Sequence, residues 1–242
     1  MDAIKIENLT KRYRKLTAVD SISLSVREGE LFSLLGINGA GKTTTIKMLS
    51  CLTAPTEGDA HLLGKSIVSE SSEIKKFIAT SPQETAIAPA LSGRENLELI
   101  CGVHGFDKEK TNKKIGELTA LLGLEPILSR RAGKLSGGWQ RRLSIGMALI
   151  SEPKILFLDE PTLGLDVIAR SELWDIIRSL KGRVTIILTT HYMEEAEALS
   201  DRIAIMKDGR LLVCDTAENI KKAAGTESFE EAFVRTVKGA TI

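Results

Sequence analysis

LFSLLGINGAGKTTTIKML, Leu31 to Leu49, opens with a short, nearly continuous apolar run and passes through glycines at 36, 39 and 41 into a helix-like stretch. A buried strand, a glycine-rich loop and a helix are the expected elements. Within them GINGAGKTT, Gly36 to Thr44, fits G-x-x-x-x-G-K-[ST] in the setting that pattern needs. Glycines let successive backbone N–H groups turn toward an anion, and the helix N-terminus adds donors and partial positive charge. The loop residues Gly36, Asn38, Gly39, Ala40, Gly41, Lys42, Thr43 and Thr44 are therefore expected to bind nucleotide phosphates. Lys42 is expected to reach the β- and γ-phosphates and Thr43 to offer its hydroxyl to Mg²⁺.

Working outward, ILFL (Ile155–Leu158), VTIIL (Val184–Leu188) and IAIM (Ile203–Met206) read as further buried strands. Helical stretches at Val167–Leu180 and Glu194–Leu199 separate them, so a parallel sheet covered on both faces is expected. Alternating runs at Ile4, Ile6, Leu9 and at Ile22, Leu24, Val26 predict two half-buried strands near the start. Between about Ser92 and Ile150 the pattern is helical throughout, an insertion between two parts of the sheet. The charged, helix-prone tail after Asp215 is expected to dock on the surface.

ILFLDEP places Asp159 and Glu160 at the C-terminal end of a strand, where ligands of open parallel sheets bind. Asp159 is expected to hold Mg²⁺ through its water shell, and Glu160 to polarise an attacking water as general base. A second glycine motif, Ser136, Gly137 and Gly138 in KLSGGWQRRLSIGMALI, begins another helix suited to an anion.

The set of motifs resembles the ATP-binding-cassette ATPases. LSGG lies with Ser136 23 residues before Asp159, as the signature of that family does, and the other motifs follow in order over about residues 4–215. Tyr13 in TKRYRKLTAVD resembles the aromatic that stacks on adenine. Gln83 in SPQ resembles the Q-loop glutamine, which serves Mg²⁺ and the water. LGLD, ending at Asp166, looks like the D-loop that links two sites across a dimer. His191 in TTHYMEEAE resembles the switch histidine at the γ-phosphate. One departure stands out: the fifth signature position, usually Gln, is Trp139, which reads either as a packing contact near the dimer interface or as an ordinary buried or partly exposed residue.

The resemblance implies an α/β fold of the P-loop NTPase (RecA-like) type, with a mostly parallel core sheet, an antiparallel N-terminal β subdomain and an inserted α-helical subdomain. In one ATPase domain, about 1–90 and 151–215 would be the core, 91–150 the helical signature subdomain and 216–242 the tail. It also implies a head-to-tail pair of cassettes, a homodimer in the simplest case, with ATP between them, Mg²⁺ as cofactor and a separate membrane permease. GKTTTIKML, PALSGRENL and SFEEAFVR look most like the exporter subgroup with ABC-2-type permeases. In the last of these, Phe229, Phe233 and Val234 would form the apolar face of a final helix. A soluble cassette ATPase that remodels a non-membrane target, such as an iron–sulfur assembly machine, is the alternative.

Composition narrows the partners. The 33 basic and 32 acidic residues leave a net charge of +1, with no global field for nucleic acid, and no nucleic-acid partner is expected. Cys51, Cys101 and Cys214 are scattered without metal spacing, which suits a reducing compartment. No apolar run approaches the ~18 residues of a membrane span, and the charged, alternating start is unlike a signal peptide. A cytoplasmic protein, peripheral on the inner face of the membrane through its permease, is the expectation.

Overall fold

In a computed structural model, which describes residues 1–239, two sheets and their helices enclose the predicted loop. The chain starts in a long hairpin, β1 (Asp2–Tyr13) and β2 (Leu16–Arg27), and then enters β3 (Leu31–Leu35). Helix α1 (Lys42–Leu49) follows the glycine loop. Next come β4 (Glu57–Leu62), β5 (Lys65–Ser66), the single turn α2 (Ser71–Ile74) and β6 (Ile78–Ser81). Helices α3 (Gly93–Val103), α4 (Lys108–Leu122) and α5 (Gly137–Leu149) make up the helical stretch, with two short 3₁₀ turns between α4 and α5. The chain then alternates through β7 (Ile155–Asp159), α6 (Val167–Leu180), β8 (Thr185–Thr190), α7 (Met193–Leu199) and β9 (Arg202–Lys207). It finishes with β10 (Arg210–Asp215), α8 (Ala217–Ala224) and α9 (Phe229–Gly239).

The antiparallel sheet runs β2-β1-β4-β5 and the larger sheet β10-β9-β3-β8-β7-β6. In the latter β9, β3, β8, β7 and β6 are mutually parallel, and only β10 returns antiparallel at one edge. Because the side-chain period of a strand is two, the central strands feed two cores. Leu156, Leu158, Ile186 and Leu188 face a cluster shared with α3 to α6, while Ile155, Phe157 and Ile187 face a second cluster under α1 and the antiparallel sheet. The helical stretch is thus packed continuously with one face of the parallel sheet. A third cluster joins Leu35, Ile203 and Ile205 to α7, α8 and α9.

Several details differ from the sequence reading. Strands β4, β5, β6 and β10 lie outside the strands the sequence pattern predicts. Each is short and carries charged, polar or half-exposed positions, so none shows the apolar run of a central strand. The strand predicted at Val184–Leu188 runs Thr185–Thr190, so polar Thr189 and Thr190 extend it to the site. On α9 the buried face is Phe229, Ala232 and Phe233, whereas Val234 is 39% exposed. Positions 229, 232 and 233 follow the i, i+3, i+4 spacing, and 234 falls off that stripe. The last three residues of the predicted tail lie outside the described residues.

Phe157 is fully buried between the two sheets, directly below the acidic pair. Phe157→Ala is expected to destabilise the fold by about 3–5 kcal/mol. Chemical denaturation should show a lower midpoint with an unchanged slope.

Candidate functional site

The glycine loop is shaped by two steric constraints. A Cβ at Gly36 would lie 2.4 Å from the Met206 carbonyl oxygen on β9, so the strand end can approach only a glycine. Gly41, at the start of α1, has φ +101°, and a Cβ there would meet the Ala18 carbonyl oxygen at 2.5 Å. With both satisfied, Lys42 turns back along the loop and donates to the carbonyls of Gly36 (2.7 Å) and Ile37 (3.3 Å). Gly41 offers no side-chain cap, and Ser136 forms none at the start of α5. Helices α3, α4, α6 and α8, by contrast, are capped by Ser92, Asp107, Asp166 and Thr216. The two expected anion sites therefore begin with backbone donors that no side chain of the helix start takes up.

The acidic pair is built by the register of β7 on β8, in which Asp159 lies opposite Thr189. Asp159 Oδ1 accepts from the hydroxyls of Thr43 (3.2 Å) and Thr189. The Glu160 N–H donates to Thr189, to its carbonyl at 3.1 Å and its hydroxyl at 3.0 Å. These bonds hold Glu160 at φ +48°, in the left-handed region that non-glycine residues seldom adopt. Its carboxylate then reaches His191 Nδ1 at 2.6 Å through Oε2 and Lys42 Nζ at 3.3 Å through Oε1. Lys42 and Glu160 are each nearly buried, at 5% and 7% side-chain exposure.

These groups form the floor of a cleft of about 500 Å³, walled by Asn38 to Thr44, Gln83, Leu163 and His191, with Leu16 to Ala18 and Asp208 opposite. Gly36 and Asp159 lie just behind that wall, and Asp159 is joined to it through Thr43. Three predicted groups lie elsewhere. Tyr13 is 45% exposed at the tip of the β1–β2 hairpin, with Lys11 5.0 Å above its ring, and does not line the cleft. Ser136 and Gly137 are exposed at the start of α5, outside the cleft, with Gly138 against Ala169 of α6. Asp166 accepts from the Ala169 N–H at 2.9 Å and caps α6. Trp139 is half-buried, packed on the helical core with Arg142 4.6 Å over its ring.

Sequence reasoning missed three residues here. Thr189 carries both acidic residues, yet a threonine at a strand end gives no signal on its own. Arg141 on α5 sits 5% exposed behind Gln83. Glu195 on α7 is fully buried and accepts from the Trp174 indole at 3.1 Å. Burial pushes the Glu195 carboxyl above its usual range, against the Thr190 and Thr162 hydroxyls and the indole, while the Glu160 charge reinforces the rise. A buried acid in a helix that also carries Glu194 and Glu197 gives no signal of its own in the sequence.

Comparisons with known proteins bear on the family and the fold. The family model described as ABC transporter matches residues 19–163. The doxorubicin resistance ATP-binding protein DrrA of Mycobacterium tuberculosis is 40% identical over 239 residues, 98% of this chain and 72% of that protein. A solved ATP-binding subunit of an ABC transporter superposes with a TM-score of 0.85 at 27% identity, covering 97% of this chain and 99% of the other. A dimeric ATP-binding cassette in a post-hydrolysis state with ADP and Pi gives 0.79 at 27% identity, covering 88% and 98%.

The raised Glu195 carboxyl fixes a pH dependence. Above its ordinary value near 4.5 the unfolded chain loses this proton while the native state retains it, so stability falls as pH rises toward the folded value. Glu195→Gln removes that dependence. Denaturant midpoints measured between pH 5 and pH 8 should move in favour of the variant as pH increases. A constant offset between the two proteins would contradict the assignment.

Proposed function

This chain belongs to the ABC transporter family as an ATP-binding, ATP-hydrolysing subunit, and from that premise we propose how its residues divide the work and what the work drives. The observation that carries the reading is a division in space. The phosphate loop, the acidic pair and His191 share one cleft, while the signature Ser136 to Gly138 is exposed outside it. A single copy therefore holds one whole cleft and one whole signature, half of each of two composite sites. Two copies, related head to tail by a two-fold axis, supply two complete sites. The dimeric form of the related cassette that holds ADP and Pi supports this arrangement.

In that pair Lys42 and the backbone of Gly39 to Thr44 hold the phosphates, and the partner's uncapped α5 closes on the γ-phosphate. Glu160 takes up the proton of the attacking water, and His191 steadies the γ-phosphate and, through its 2.6 Å bond, the Glu160 carboxylate. Tyr13, three residues before the cleft residues Leu16 to Ala18, serves as the adenine platform, and Asp166 links the two sites. Hydrolysis and phosphate loss remove the contact shared by both subunits, and the pair opens.

The residues also fit Mg²⁺. A threonine hydroxyl and a carboxylate 3.2 Å apart, with the Gln83 amide lining the same cleft, are the hard oxygen donors this ion takes alongside phosphate oxygens. Bound there by Thr43, Asp159 and Gln83, it would neutralise phosphate charge.

The cassette switch drives an exporter whose permease is a separate chain, as the similarity to the drug-resistance ATP-binding protein supports. Among the described residues no helix is long and apolar enough to cross a membrane, so the span belongs to that partner and this chain sits on its cytoplasmic face. About 1–90 and 151–215 form the nucleotide-binding core, 91–150 the signature part and the remainder the tail.

Glu160→Gln tests the reading. Removing the general base should lower kcat at least ~100-fold, leave ATP binding intact and trap a dimer in MgATP, seen by light scattering. Tagged Glu160→Gln recovered from detergent-solubilised membranes of its native cell should bring a multi-span protein with it. A monomer in saturating MgATP contradicts the dimer mechanism. Soluble partners alone, with nothing in the membrane fraction, contradict the transporter role.

A further inference from the structure

Helix α5 begins at the signature and runs inward behind Gln83. At its second turn Arg141 is 5% exposed, and its guanidinium donates to the carbonyls of Pro82 (2.5 Å) and Gln83 (2.6 Å). One turn further, Ser144 and Ser81 share a hydrogen bond of 3.0 Å between hydroxyls. Helix α5 is thus sewn to the C-terminal end of β6 at the point where the chain leaves the sheet for the cleft. At the far end of the same segment, buried Asn96 holds Ala88 through both its N–H (2.7 Å) and its carbonyl (3.1 Å).

Gln83 lines the cleft, while its backbone carbonyl is held by Arg141. Charge-assisted bonds to two successive carbonyls fix both position and plane of that backbone, because the guanidinium is a rigid fork. Burial pushes the guanidinium pKa below its ordinary value, opposed first by the Asp159 charge on β7 and then by Glu195 on α7 to the extent that it ionises, and arginine remains protonated at working pH. A cation this buried is costly, and the two carbonyls and the Asp159 charge are what offset it.

We propose that Arg141 is a positioning residue for hydrolysis, which fixes Gln83 in the cleft and makes Gln83 and the signature helix move as one piece. This rests on the reading above that Gln83 serves the reacting centre. When α5 advances toward ATP held by the other subunit, Arg141 carries the Gln83 backbone with it. The signature and the glutamine of one chain then respond together, although they face different nucleotides.

The test is a double-mutant cycle on ATP hydrolysis by the full chain, with Arg141→Lys and Gln83→Ala singly and together. Lysine keeps the charge but cannot span both carbonyls. Arg141→Lys should lower kcat about tenfold with the KM for ATP within about twofold, since the phosphate loop is untouched. On the Gln83→Ala background it should cost less than about twofold further. Equal factors on both backgrounds, an unchanged kcat, or a raised KM alone overturns the proposal. So does an Arg141→Lys protein that fails to fold, which would make the residue a determinant of the fold. A wild-type chain no faster than Glu160→Gln overturns the ATPase roles themselves and this inference with them, a different result from any outcome of the cycle.

Discussion

The site depends on the register of β7 against β8. Asp159 opposite Thr189 puts the acidic pair beside the residues that end β8, so one threonine can receive Glu160 and give to Asp159. Shifting that pairing by one residue would turn every side chain of a strand to the other face. Leu156 and Leu158 would exchange cores with Ile155 and Phe157, and all four are fully buried in apolar clusters. The apolar interior therefore specifies the register, and the register specifies where the carboxylates stand. His191, immediately after β8, comes to Glu160 by the same constraint.

Glycine and capping chemistry together mark the anion sites. Helices α3, α4, α6, α8 and α9 close their first turn with a side-chain oxygen, which satisfies donors that would otherwise need solvent or ligand. A side-chain cap is missing at α1, α2, α5 and α7, and of these α1 and α5 begin beside glycines. A cap at α1 or α5 would compete with phosphate for the same N–H groups, so its absence there is consistent with anion binding.

Much of this was legible in the sequence because it is local. The Leu31–Leu49 pattern carries its strand, its loop and its helix within nineteen positions, and the Ile155–Pro161 run carries its strand and acids. The order of motifs added the family. What remained hidden depends on contacts between distant segments. Thr189 matters because β8 pairs with β7, and Arg141 because α5 crosses behind residues 82 and 83. Strand β6 has half-buried residues at the sheet edge and lacks the apolar signal of the centre. Val234 shows the opposite error: as an apolar residue in a helical run it reads as part of the apolar face with Phe229 and Phe233, although its angle on the helix sets it outside the buried stripe.

The Lys42–Glu160 pair gives the cleft its switching character. Two opposite charges, each almost out of solvent, sit 3.3 Å apart, and a buried pair of this kind gains little net stability after desolvation. It does keep each charge compensated while no phosphate is present. On the roles proposed above, ATP would bring Lys42 a larger negative charge than Glu160 offers. Glu160 would then keep His191 as its partner, with its backbone still held by Thr189. Under those roles its carboxylate would be freed toward water without any change in the strand that carries it, and the phosphate itself would ready the base.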